Sequence, residues 1–481
     1  MPEQSYTGTW WKPETPAEKF SGTLRISTDG EASLELLGGF PLMVWRQTGP
    51  GTFDSSGERR CIAMLHGESA GKDITLLNCS EEDANYPVFS PEGPPTWQQL
   101  STARAIVGIH LNKPNDPVFI AAKFRIENLQ RWLGVTEFSN GFDTEGKLRK
   151  AEIRVPDPLS VDYDDITISA TMYSGIFGFA PRRDGTDVRA ETYVVLEARS
   201  KNPLPQDGFD GLSLAMTDLL TFASGEPCAL LSHSLEVEKK DRFEVPEFTN
   251  GSVSARTVER TVMAAVYRQT RVSPKIDDTP LTPLHEFLFT CADMSFEKII
   301  PAWLSLRKKI KPATDILLSL IYGPPRFLQI RALTAGVALE GMHRFLYPDS
   351  LRMLPADFEQ LKERALASLD SQEDRDHLNN AMRNEPTYKM RIEHLAQTPN
   401  EEAVNCIIKD IKKWAGRQTQ IRNGLAHMLD DKSGKDIMEM AMTFHRSQNL
   451  LNLVLMCELG LPGTVQVRAM EQHMYLSEEN R

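Results

Sequence analysis

Cysteine is scarce: six in 481 residues (Cys61, Cys79, Cys228, Cys291, Cys406 and Cys457), none in a C-x-x-C pair or close to a histidine partner. That pattern excludes a zinc ribbon or a disulfide framework and points to reduced thiols. Long apolar runs are missing too. The longest, around residues 450–461, is interrupted by Asn452 and Glu458 and falls short of the ~20 residues that cross a bilayer. Met1-Pro2-Glu3-Gln4 opens no signal peptide, so the expectation is a cytoplasmic protein without a membrane partner. Basic charge is in deficit, with 54 Lys+Arg against 66 Asp+Glu and a net charge of −12. Such a chain does not coat nucleic acid non-specifically. A local basic site stays open to it, because phosphate contacts act within a Debye length of about 8 Å.

What is present divides in two. Residues 1–280 alternate apolar and polar positions with period two. Leu24-Arg25-Ile26 and Ser33-Leu34-Glu35-Leu36 flank Thr28-Asp29-Gly30, a hairpin signal, and Ile62-Ala63-Met64-Leu65 with Ile74-Thr75-Leu76-Leu77 repeats the theme. Further strands are expected over 105–111, 118–126, 166–173, 192–198 and 230–237, with a helical turn at 129–133 and a helix over 210–223. Short strands punctuated by Gly and Pro predict a sandwich or a pair of β layers. Trp10, Trp11, Trp45, Trp97 and Trp132 read as core or rim aromatics. Nothing in this half gathers acids, histidines or a phosphate loop into a reactive set, which assigns it recognition or regulation and implies no cofactor.

From residue 281 the period becomes helical. Helices are expected over 287–291, 296–310 and 313–322, broken by Pro301 and Pro312, and Gly323-Pro324-Pro325 blocks continuation. This separates a helical connector (281–324) from a bundle (325–481), so the fold class is α+β: a sandwich-like β region followed by an all-α bundle. A long helix over 327–346 carries Ile330, Leu333, Val337 and Phe345, then Glu340, His343 and Arg344; Glu340 and Arg344 have the i,i+4 spacing of an ion pair. Further helices are expected over 356–369, 375–397 and 437–459, with a polar tail after Leu461-Pro462-Gly463.

The most informative stretch runs from Glu401 to Glu458. Ile407, Ile411, Trp414, Gln418, Ile421, Leu425 and Met428 recur in steps of four and three, the stripe of one long amphipathic helix. Thr398-Pro399-Asn400-Glu401-Glu402 opens it and Asp430-Asp431-Lys432-Ser433-Gly434 closes it. At roughly 100° per residue, His427 falls opposite the stripe, Asn423 beside it and Arg422 at its edge. Lys409, Lys412, Lys413 and Arg417 share the outward half. An Arg followed by His at similar spacing also occurs at Arg60/His66, Arg104/His110 and Arg468/His473, the first two in β-like segments. Only Arg422/His427 has Asn directly after the Arg and lies inside a helical bundle.

RNA carries its own nucleophile, the 2′-hydroxyl beside each phosphate. Its cleavage needs a group that moves protons and a cation that holds the phosphorane's charge. Histidine, with an unperturbed pKa of about 6.5, suits the first task. Arginine, a permanently charged fork, suits the second. Asn423 is placed to orient the phosphate or the imidazole.

In that context Arg422-Asn423-Gly424-Leu425-Ala426-His427 resembles the HEPN superfamily of helical ribonucleases and toxins, whose signature R-[polar]-x3-H it matches residue for residue. The N-terminal Gly8-Thr9-Trp10-Trp11 and Phe20-Ser21-Gly22-Thr23-Leu24, with the helical C-terminus, resemble the ApeA branch of antiphage defence proteins. The resemblance implies a metal-independent endoribonuclease with Arg422, Asn423 and His427 catalytic, Glu340 a candidate accessory residue, and Lys409, Lys412, Lys413 and Arg417 on RNA phosphates. It implies an RNA substrate (tRNA or another RNA of translation), a homodimer or larger homo-oligomer, and a phage-derived activator at the N-terminal region. Two alternatives stay open: a non-catalytic HEPN-type module that binds RNA or protein, and the toxin component of a toxin–antitoxin pair.

Overall fold

β-Strands occupy the first half of the chain and helices the second. The structure is a computed structural model that describes residues 3–49, 52–87, 93–135, 137–175, 178–189, 191–249, 252–275, 279–323, 327–427 and 437–479. It divides into two compact units, Met1–Leu220 with Pro227–Leu281, and Thr221–Glu226 with Thr282–Arg481. In chain order the strands are β1 (Gln4–Trp11), β2 (Phe20–Ile26), β3 (Ala32–Leu37), β4 (Met43–Gly49), β5 (Thr52–Arg59), β6 (Ile62–Ser69), β7 (Lys72–Asn85), β8 (Trp97–Val107), β9 (Phe119–Ile126), β10 (Glu137–Phe142), β11 (Leu148–Arg154), β12 (Leu159–Tyr163), β13 (Ile166–Ser174), β14 (Gly178–Arg182), β15 (Gly185–Arg189), β16 (Thr192–Leu204), β17 (Leu230–Thr249) and β18 (Ser252–Tyr267). Helix α1 (Leu129–Leu133) follows β9, and α2 (Asp207–Ser224) follows β16.

The expected β layers are realised as a barrel fused to a sheet. β1, β2, β3, β8, β7 and β6 pair antiparallel in that ring order, and β6 returns to β1, so the ring closes. Closure leaves those strands without a free edge. The β2–β3 hairpin pairs Leu24 with Leu34, and Gly30 (φ +84°) supplies the left-handed residue its turn requires. Alternate residues Leu24, Ile26, Leu34, Leu36, Leu65, Ile74, Leu76 and Leu100 fill the interior around Trp10. The far end of β8 pairs with β18, from which the sheet continues as β17, β9, β16, β13 and β12. Trp10, Trp11 and Trp132 are buried, as core aromatics should be; the Trp45 side chain lies outside the described residues.

In the second unit the helices are α3 (Phe296–Tyr322), α4 (Leu328–Leu346), α5 (Pro355–Ala367), α6 (Gln372–Ala381), α7 (Tyr388–Leu395), α8 (Glu401–Ile407), α9 (Ile411–His427), α10 (Ile437–Glu458) and α11 (Gly463–Glu479). α4 lies at the centre, packed against α3, α7, α9 and α10. The first part of its buried face is built from small residues, Ala332, Ala335, Gly336 and Ala338, which let the neighbours approach closely, and Leu339, Met342, His343 and Leu346 complete it. Ala332 and Ala335 meet Ile421 of α9 and Met440 and Phe444 of α10 in one apolar cluster. The expected stripe of α9 is thus real: Trp414, Gln418 and Ile421 are buried.

Four expectations need correction. Residues 287–291 are not helical. Phe287, Leu288 and Phe289 are buried from an irregular segment, with Phe289 edge-on to Phe222, which stacks on Trp303. The helix expected over 375–397 is two, α6 ending at Ala381 and α7 starting at Tyr388, with Pro386 in the break where it has no N–H to donate. The motif helix does not run unbroken from Glu401: it stops at Ile407 and restarts at Ile411, where the Asp410 carboxylate accepts from the Lys413 backbone N–H (2.9 Å) and caps the new helix. The tail after Gly463 is helix α11, with Val465, Ala469 and Met470 buried and Arg468 bound to both carboxylate oxygens of Asp293 (2.7 and 2.9 Å). The helices expected over 296–310 and 313–322 are both present, joined as α3 across a non-helical Ile310 (φ −125°, ψ 28°) two residues before Pro312. Arg307 spans the kink, donating to Thr314 Oγ1 and Asp315 Oδ1 at 2.7 Å each.

Candidate functional site

The site grows from one close approach. Gly336 of α4 faces α9 and α7. A Cβ there would lie 3.0 Å from Gln418 Nε2, 3.2 Å from the Tyr388 hydroxyl and 3.3 Å from Arg422 Cγ. One turn further along α4, Glu340 meets Arg422: Oε2 accepts from Arg422 Nη2 at 3.2 Å. Arg422 Nη1 donates to Asn423 Oδ1 at 3.2 Å, and the guanidinium lies over the Tyr388 ring, 5.3 Å from its centroid. The Arg422 side chain keeps 30% of its surface exposed. It is a positioned cation with an open side, the geometry that phosphate recognition uses.

Glu340 has a second partner. Its Oε1 accepts from Arg344 Nε (3.1 Å) and Nη2 (3.0 Å). Both readings of Glu340 therefore hold at once: it pairs at i,i+4 on its own helix and also reaches the motif arginine. Arg344 continues to Glu385 Oε2 (3.3 Å), which also accepts from Arg391 Nη2 (3.2 Å). Arg391 Nη1 in turn donates to Nδ1 of the buried His343 (3.4 Å), which fixes the His343 proton on Nε2, where it donates to His394 Nδ1 (3.0 Å). Burial first, then the charges of Arg391, His394 and Arg344, lower the His343 pKa to about 4. The Glu340 carboxylate in turn holds the Arg344 pKa above its ordinary value. A ladder of alternating charge thus runs from Arg422 to the buried His343. Sequence reading reached its first two rungs, Arg422 to Glu340 and Glu340 to Arg344, because Glu385 and Arg391 lie beyond further loops.

The phosphate-binding set expected alongside does not assemble. Lys409 is exposed in the break between α8 and α9, and Lys412 and Lys413 are exposed in the first turn of α9. Ten residues of helix separate Lys412 from Arg422, about 15 Å along the axis. Arg417 is held by Glu439 Oε2 at 2.8 Å and by Gln420 Oε1 at 3.3 Å. His427 ends α9 five residues after Arg422, while its side chain and Met428 lie outside the described residues. Among the described residues, no three His, Cys, Asp or Glu side chains converge as metal ligands do, and no helix is long and apolar enough to cross a membrane.

A bundle around α4 with R-N-x3-H at the end of α9 defines a HEPN-type domain, and residues 333–464 match the family described as Apea-like HEPN. Residues 5–303 match ApeA N-terminal domain 1. That match alone spans more than half of the 481 residues, and the chain belongs to the ApeA family of HEPN-type antiphage defence proteins. No curated protein and no solved structure matches it.

Proposed function

We propose that the chain is a metal-independent endoribonuclease of abortive-infection defence. It cuts RNA by attack of the 2′-hydroxyl on the adjacent phosphate, leaving a 2′,3′-cyclic phosphate and a 5′-hydroxyl. The observation that carries this reading is Arg422, a half-exposed cation anchored by Glu340 and Asn423 on the helix that ends at His427. In this scheme His427 moves the protons, Arg422 holds the charge that grows on the phosphorane, and Asn423 and Glu340 aim the guanidinium. Substrate is an RNA of translation, tRNA among the candidates. Cleavage halts growth of the infected cell.

One helix end is a flat surface and does not enclose a phosphate. The active form we propose is therefore a homodimer, or a larger assembly built from it, in which two R-N-x3-H segments face each other across a twofold axis. Exposed apolar side chains along α4 support a buried partner there: Ile330, Val337 and Phe345 are 47, 43 and 41% exposed. The β-rich unit restrains the nuclease and releases it on meeting a phage component. The test is cleavage of total RNA by wild type, by wild type in excess EDTA and by His427→Ala. Activity in the first two and none in the third is expected; loss in EDTA restored by Mg²⁺ would overturn the mechanism. RNA binding without any cleavage would favour the non-catalytic reading.

A further inference from the structure

Resting on the nuclease reading of Arg422, we infer that Tyr388 is a positioning residue for that site: its ring is the platform on which the guanidinium lies. Arg422 has a ligand on each terminal nitrogen, Glu340 and Asn423, but two in-plane ligands leave the plane free to rock. The Tyr388 ring supplies the third constraint from below, within the ~6 Å reach of a cation–π contact. The N–H donors in the guanidinium plane that Glu340 and Asn423 do not use are left for phosphate.

The platform is itself locked. The Tyr388 hydroxyl accepts from Gln418 Nε2 (3.4 Å), and Gln418 Oε1 (3.1 Å) shares the Ser447 hydroxyl proton with the Thr443 carbonyl (2.8 Å). Gln418 and Ser447 are fully buried, so one polar chain runs from α10 through α9 to α7. Burial pushes the Tyr388 hydroxyl up to about 12, which keeps it neutral and fixed in this chain. Gly336 is what admits the arrangement, since three of its members come within 3.3 Å of where a side chain would start. Gln418 sits on the buried stripe of α9, where an apolar residue would pack equally well; its amide finds a use here as the strut of the platform.

The full-length His427→Ala protein, unable to cut, serves for the test. With ¹⁵N-arginine labelling, ring current from Tyr388 should displace the Arg422 Nε–Hε signal. Tyr388→Leu should abolish that displacement and Tyr388→Phe restore it. Anisotropy with a labelled single-stranded RNA should show Tyr388→Leu weakening binding about tenfold. Arg422→Ala should be at least as damaging, and the double variant should bind no worse than Arg422→Ala alone. Gly336→Ala should shift the same NMR signal, and combination with Tyr388→Phe, which removes one of the three close contacts, should partly reverse the shift. An Arg422 signal indifferent to Tyr388→Leu, or binding losses that add in full in the double variant, would overturn the proposal. If the signal responds as expected while Arg422→Ala leaves RNA binding untouched, the positioning stands and the nuclease reading falls.

Discussion

Arg104/His110 and Arg422/His427 are nearly the same pattern in the sequence, and the two regions of the molecule make opposite things of it. Along a strand, six residues cover about 20 Å; along a helix, five residues cover about 7.5 Å and the side chains fall within one and a half turns. Arg104 accordingly goes one way, to ion pairs with Asp207 and Asp210 at the start of α2. His110 goes another, donating from Nε2 to the Gly67 carbonyl (2.9 Å) while His66 donates to the Leu111 carbonyl (2.9 Å). Their rings stack 4.3 Å apart, a reciprocal clasp that ties the end of β6 to the segment after β8. In the β unit both residues tie elements together, Arg104 through the α2 carboxylates with its side chain only 15% exposed and the histidines through backbone carbonyls. In the helical unit the partners of Arg422 are side chains, and part of the guanidinium is left open.

The comparison breaks most visibly at the arginines. Arg422→Ala should lower cleavage by at least about a thousandfold with the protein still folded. Arg104→Ala should leave the cleavage chemistry intact. It leaves Asp210, a carboxylate already pushed above its ordinary pKa by burial, with the longer Arg268 contact (3.9 Å), and should cost about 1–3 kcal/mol of unfolding free energy in denaturant. Next in size is assembly. Gly424→Trp should shift the dimer to monomer in sedimentation and lose activity in parallel, so a folded monomer cutting at the wild-type rate would remove the composite site. Third is restraint. A chain starting at Thr282, which keeps α3 against α4, should be more toxic on expression than the full chain, and its His427→Ala version harmless; equal harmlessness of both at good expression counts against restraint by the β unit.

The smallest effect concerns pH. The unfolded chain protonates a histidine near pH 6.5, whereas folded His343 accepts a proton only near 4. Between those values the unfolded state binds more protons, so stability falls as pH drops from 6.5 to 4 and is fully kept above 6.5. His233, buried to a pKa of about 3, adds the same sign in the β unit. Denaturant midpoints at pH 7.5 and 5 should differ less in His343→Leu than in wild type, although the variant is weaker at both.

Local signals were legible, and long-range pairings were not. The hairpins around Gly30 and between β6 and β7, and the buried stripe Trp414-Gln418-Ile421, follow from period and turn chemistry within a dozen residues. Barrel closure needs β1 against β6 and β7 against β8, and no local pattern announces which strand returns to which. The break before α9 was hidden because Lys409 and Asp410 suit an exposed helix face, although Asp410 is also a good N-cap. Tyr388 and Arg391 belong to the site only because α6 stops at Ala381 and α7 begins a new segment beside α9. Glu340 was visible because its two possible partners sit on a helix and a motif already singled out.

The central claim is that Arg422 and His427 cut RNA through its own 2′-hydroxyl. Mapping RNA ends after induction of the full chain under activating conditions tests it most directly. New fragments with 5′-hydroxyl and 2′,3′-cyclic phosphate ends, formed equally in EDTA by the purified protein and absent with His427→Ala, are the predicted result. Fragments bearing 5′-phosphates, or the same fragments from the His427→Ala protein, would contradict it.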